Sequence, residues 1–187
     1  MWMALLPAVF PLLAGLLFAY LAWVRPDRYV LSWLGFWLVL AARDGALGWS
    51  QAAPNAIAGW IASAALAGAA TLFLLGVRQM RGVSAHERNY LWLATVGAAL
   101  AYVVWSRHWQ HARNWGAVFG VVLLATAAAD LLLTSSAASW ARRLLAIGVL
   151  LWVLSAGLVA FWGPHVPAWT PRVAELLVAA LMIAVVY

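Results

Sequence analysis

Apolar runs of about twenty residues follow one another along this chain, broken by short turns that hold most of its arginines. A helix needs about 20 predominantly apolar residues to cross the roughly 30 Å hydrocarbon core of a bilayer. Lipid offers no hydrogen bonds, so each spanning segment must satisfy its backbone internally. The predicted fold class is therefore all-α, a polytopic transmembrane helical bundle. Composition agrees: of 187 residues, 67% are hydrophobic and only 9% charged, with a mean hydropathy of +0.94. A soluble domain carries about 25% charged residues.

Seven spans are predicted, at about 4–24, 29–50, 55–77, 88–106, 114–134, 144–162 and 171–187, as a single transmembrane domain over 1–187. MWMALLPAVF has no basic n-region and no small-residue cleavage site, so it reads as the start of span one rather than a signal peptide. Pro7 and Pro11 fall in the first turns of that span. In span three, Ser63 to Ala70 is nearly all small residues, which lets helices approach closely. Ser84 and Glu87 fit a capping box before span four. Gly116 and Gly120 form a small-xxx-small pair in span five. Thr170 and Pro171 fit the cap and first position of span seven.

Arginine placement gives the topology. With the N-terminus outside, inner loops hold Arg25, Arg28, Arg78, Arg81, Arg88, Arg142 and Arg143. Outer loops and their edges hold Arg107, Arg113 and Arg172. Positive charge favours the cytoplasmic side, so the N-terminus is expected outside and the C-terminus inside. The same bias accounts for the net charge of +6 without nucleic acid. The chain stops at AVVY, at the inner edge of span seven, and is expected to be the membrane part of a longer protein.

Residue types exclude several chemistries. All eleven basic residues are arginine, so no lysine can form a Schiff base or serve a phosphate loop. Without cysteine there is no disulfide, no thiolate-bound metal and no attached c-type haem. His86-Glu87-Arg88-Asn89-Tyr90 opens like a zinc-protease helix but lacks the second histidine. No serine sits in a nucleophile elbow. No enzymatic role is expected of this chain, and its cofactor, if it has one, is left open.

The most informative stretch is YVLSWLGFWLVLAARDGALGWS, Tyr29 to Ser50, which sets Arg43 beside Asp44 in an apolar helix. A charge at bilayer depth costs about 2.5–3.5 kcal/mol on insertion scales, so such residues pair and mark sites. Neighbours in sequence point about 100° apart on a helix, so the two are not expected to face each other. Glu175 is the expected partner of Arg43, or else it pairs with Arg172 one turn away. Topology places Arg43, Asp44 and Glu175 in the outer half. Above them come His108, His111 and His165, ringed by tryptophans that include Trp49 and Trp162. The candidate ligand site is Arg43, Asp44, Glu175, His165, Trp49 and Trp162, since aromatic walls with a few polar groups suit a pocket. The plain alternative for the tryptophans is an interfacial belt. His108, His111 and His165 form a metal candidate, and solvated loop histidines are the plain alternative. Asp130, near the inner end of span five, is expected to be a structural charge within reach of Arg78 or Arg142.

These stretches together resemble the N-terminal multi-span sensor regions of bacterial GGDEF diguanylate cyclases and related sensor histidine kinases. The likeness lies in RPDRYVLSWLGFWLVLAARDGAL, in LLGVRQMRG closing span three, in ARNWGAVFGVVLLATAAADLLL, in WARRLLAIGVLLWVL and in AELLVAALMIAVVY. It is architectural and carries over no functional residue, and the GGDEF motif is absent. The resemblance implies a sensory input domain of the bacterial inner membrane. Such a domain passes an outer-side signal through its last helix to a cytoplasmic output domain, and dimerises. The alternatives are a non-catalytic accessory subunit packed against partner membrane subunits, and a small transporter. An apolar middle between two polar faces offers transport little support.

Overall fold

The computed structural model describes residues 2–52, 56–82, 115–133, 140–162 and 170–187, together with 90, 93, 94, 96 and 97. Among these residues it is all-α, with six helices. They are α1 (Trp2–Val24), α2 (Arg28–Ala52), α3 (Ala56–Gln79), α4 (Trp115–Leu133), α5 (Trp140–Trp162) and α6 (Thr170–Val186). Residues 90, 93, 94, 96 and 97, within the expected fourth span, are also helical. Among the described residues, three segments are long and apolar enough to cross a membrane: Pro7–Val24, Arg28–Trp49 and Ile61–Gln79. The protein is a helical membrane protein.

Helix bounds follow the apolar runs to within a few residues. Two differences have physical causes. Pro7 and Pro11 lie inside α1, because the helix already begins at Trp2; each removes one backbone donor from its ladder. α5 begins at Trp140, ahead of the apolar run that opens at Leu144. Arg142 and Arg143 therefore belong to its first turn, since arginine propagates a helix about as well as leucine.

The chain divides into two compact units, Met1–Leu123 and Leu124–Tyr187. In the first, α2 packs against both α1 and α3. α1 buries Ala14, Phe18, Leu21 and Ala22 and leaves Leu12, Leu13, Leu16, Leu17, Tyr20 and Trp23 exposed. This is the one-sided stripe of a helix packed on one neighbour. α2 has neighbours on two sides, so its buried set is wider: Val30, Trp33, Phe36, Trp37, Leu40 and Ala41.

The α2–α3 register is antiparallel. Ser32 Oγ hydrogen-bonds Gln79 Oε1 at 2.9 Å, Trp33 lies on Gly76 and Gly35 on Leu72, and Phe36 meets Phe73. An added Cβ at Gly76 would come 2.3 Å from Trp33 Nε1. Only glycine leaves room for the indole there. Trp33 stacks on Phe73 with centroids 6.1 Å apart and meets Phe18 and Tyr29 edge to face. Trp37 does the same with Phe10 and Phe36. Such pairs contribute about 0.5–1.5 kcal/mol each beyond their buried area.

Small residues act as the sequence predicts. Ala67, Ala69 and Ala70 of α3 are buried, and Gly68 lies near Val39. Gly120 of α4 lies so near Leu66 that an added Cβ would meet its Cγ at 3.1 Å. In the second unit, α5 and α6 pack together, with Gly148 against Leu181. α6 buries Ala174, Val178, Ala179, Met182 and Val186 along one face.

Candidate functional site

Two carboxylates occupy core-facing helix positions. In α2 the buried residues Val30, Trp33, Trp37, Leu40 and Ala41 recur at helical spacing, and Asp44 is the next on that face. In α6 the buried series Val178, Ala179 and Met182 has Glu175 at its start. A face that should be apolar thus carries a carboxylate in each helix.

Each carboxylate has an arginine from its own helix. Arg43 Nη1 donates to Asp44 Oδ1 at 3.1 Å. The Asp44 side chain is 1% exposed and that of Arg43 25%. This corrects the expectation that the two groups diverge. Their Cβ directions do diverge by about 100°, but the long arginine stem curls round the helix and returns its guanidinium to the neighbouring carboxylate. Arg172 Nη1 donates to Glu175 Oε2 at 2.6 Å, one helical turn away, with side chains 32% and 4% exposed. Arg172, the local partner considered for Glu175, makes an ion pair with it. Within their own units, Arg43 and Arg172 make these two intrahelical pairs. Charge-assisted bonds of this kind are about twice as strong as neutral ones.

Helix rise locates the first pair. Arg28 and Trp49 bound the candidate span of α2, about 32 Å apart at 1.5 Å per residue. Arg43 falls about 22 Å from Arg28, inside the apolar length and about 9 Å short of Trp49. Trp49 is exposed while Asp44 is buried, so the two do not share a face. Trp162 ends α5. His165, His108 and His111 lie outside the described residues, so the metal candidate is not placed; among the described residues no three metal-ligating side chains cluster. Asp130 is half-buried on α4.

The sequence reading did not single out the aromatic floor of the first unit. Trp33 and Trp37 are fully buried, and neither Nε1 has a hydrogen-bond partner among the described residues. A buried donor without a partner costs about 1–3 kcal/mol. Their spacing, Trp33-x-x-x-Trp37 on one helix face with Phe36 between, was the available signal.

Comparison with protein-family models, with curated proteins and with solved structures finds no match to this chain. Its functional reading therefore rests on its own residues.

Proposed function

We propose that this chain is a membrane-embedded sensory or regulatory input domain that passes a signal through its last helix to a cytoplasmic output domain of the diguanylate cyclase or kinase type. The observation that carries the proposal is the Arg43–Asp44 pair. A carboxylate holds a core-face position in an apolar helix, and its counter-ion is a quarter exposed. A ligand that draws Arg43 away changes the charge left in the helical core. A signal requires two arrangements that differ in ligand affinity, and this pair supplies a local difference between them. α6, with its own buried carboxylate, is the output helix of this proposal. The bundle has seven spans, with the N-terminus outside and the C-terminus in the cytoplasm, in the bacterial inner membrane.

Topology has a direct check, because the chain contains no cysteine. A single cysteine at Arg81 is expected to resist a membrane-impermeant maleimide in intact cells and to react after permeabilisation. Strong labelling in intact cells would overturn the orientation.

The signalling role is tested in membranes carrying the complete reading frame. Conversion of GTP to a cyclic dinucleotide and autophosphorylation by ATP are both measured. Arg43→Ala is expected to change one of them several-fold, whereas Asp130→Ala leaves it near wild type. If neither activity is present and the protein copurifies in a fixed ratio with other membrane subunits, the accessory-subunit reading replaces this one.

A further inference from the structure

We infer that the last turn of α3, from Gly76 onward, is a conformational switch. It is closed when helical, and it opens to offer a backbone carbonyl to the buried indole N–H of Trp33. The switch does not depend on the signalling role.

Its driving force is an unmet hydrogen bond. Trp33 is fully buried, and its Nε1 is out of reach of water and has no acceptor among the described residues. A buried donor left in that state is unfavourable. The ring cannot swing away to find a partner, because Phe18 of α1, Tyr29 of α2 and Phe73 of α3 hold it. Its Nε1 and Cδ1 lie where a Cβ on Gly76 would stand, so the N–H borders the backbone of α3. While that backbone is helical, each carbonyl is taken by the amide four residues on.

The turn beside the indole is the part of α3 that opens most readily. Glycine is the poorest helix former after proline. Little helix follows Gly76, since α3 ends at Gln79. Beyond it, Arg81 N–H bonds Arg78 O at 2.9 Å and Gly82 N–H bonds Gln79 O at 3.1 Å, in tighter three-residue turns. Gly82 then takes a φ of 76°, the left-handed conformation of a helix stop. A slip of one residue in the ladder, a π turn, keeps the amides bonded and leaves one carbonyl of the preceding turn over. That carbonyl is the acceptor Trp33 lacks. The closed form has its own clamp, because Ser32 Oγ donates to Gln79 Oε1 at 2.9 Å. Trp33 touches α1 and α3 at once, so a tilt of α1 reaches the end of α3 through the indole.

The test follows hydrogen–deuterium exchange of the whole protein in lipid nanodiscs, by mass spectrometry of peptides covering 76–82. Benzothienylalanine in place of Trp33 puts sulfur where the N–H was and nearly keeps the ring's shape. With no donor to satisfy, the turn has less reason to open, and its exchange is expected to slow about tenfold. A purely packing role for the ring predicts the reverse, since a poorer fit loosens its surroundings. Ser32→Ala releases the clamp and is expected to speed exchange of the turn about fivefold. Benzothienylalanine in place of Trp37 is the control. That indole is also without an acceptor, but its ring meets Phe10 of α1, and exchange at 76–82 is expected to match wild type. Unchanged or faster exchange in the Trp33 variant would overturn the inference. So would an equal slowing in every helix of the first unit, since the whole fold would then have been stabilised rather than one turn.

Discussion

Gly76→Ala is expected to destabilise the protein by about 3 kcal/mol, near the upper end of the range for overpacking a core. The added methyl would lie 2.3 Å from Trp33 Nε1, well inside contact distance. Trp33 cannot retreat, because it is fully buried and held by Phe18, Tyr29 and Phe73. Unfolding of the purified protein in mild detergent, followed by tryptophan fluorescence, reads the effect. Two other glycines calibrate it. At Gly148 the added methyl meets the end of Leu181 at 2.9 Å, a flexible side chain that can rotate, and the cost is expected to stay under about 1 kcal/mol. At Gly45 nothing lies within 4 Å, and alanine should gain up to about 1 kcal/mol of helix propensity. Trp33→Phe removes the indole edge that the methyl strikes. In the Gly76→Ala background it should therefore recover part of the loss, with a coupling of about 1–3 kcal/mol. A Gly76→Ala protein that unfolds with wild type would show that α2 and α3 do not meet in this register.

Arg43→Ala is expected to cost about 1–3 kcal/mol, below the penalty for breaking a fully buried ion pair because Arg43 is a quarter exposed. Asp44 is the half left behind, on the buried face of α2 and nearly inaccessible. Asp44→Asn should cost less, because arginine is the more exposed partner and the amide oxygen still accepts a hydrogen bond. The double variant Arg43→Ala, Asp44→Asn should recover much of the single loss, since no buried charge then remains. The same unfolding assay decides between outcomes. Additive losses, or an Arg43→Ala protein as stable as wild type, would mean that the pair does not act as a unit.

The apolar runs made the helices legible, because lipid imposes one requirement on every segment and leaves composition as its visible record. Side-chain pairing was less legible. Helix angles suggested that Arg43 and Asp44 point apart, yet backbone angles say little about where the long, flexible arginine side chain ends. Glu175 carried two readings, and the local one was legible from spacing: Arg172 is one turn away on the same helix and pairs with it. The seat of Trp33 on Gly76 was hidden for a different reason. Glycine in an apolar helix signals close approach, but which side chain approaches depends on interhelical register, which no local pattern encodes. Ser32 and Gln79 were unremarked for the same reason: each is an ordinary polar residue near a helix end until the two helices are laid side by side.

The intrahelical ion pairs bear on how such a chain enters a membrane. A helix with a lone charge must wait for a partner helix before it rests comfortably in lipid. α2 and α6 each bring the counter-ion with them, one residue away in α2 and three in α6. Each can leave the insertion machinery as a locally neutral rod, in whatever order the chain emerges. For these two pairs, assembly needs no matching of charge between helices. Shape then guides how α2 meets α3: the aromatic floor, the alanine-rich face of α3 and the glycines that admit a neighbour.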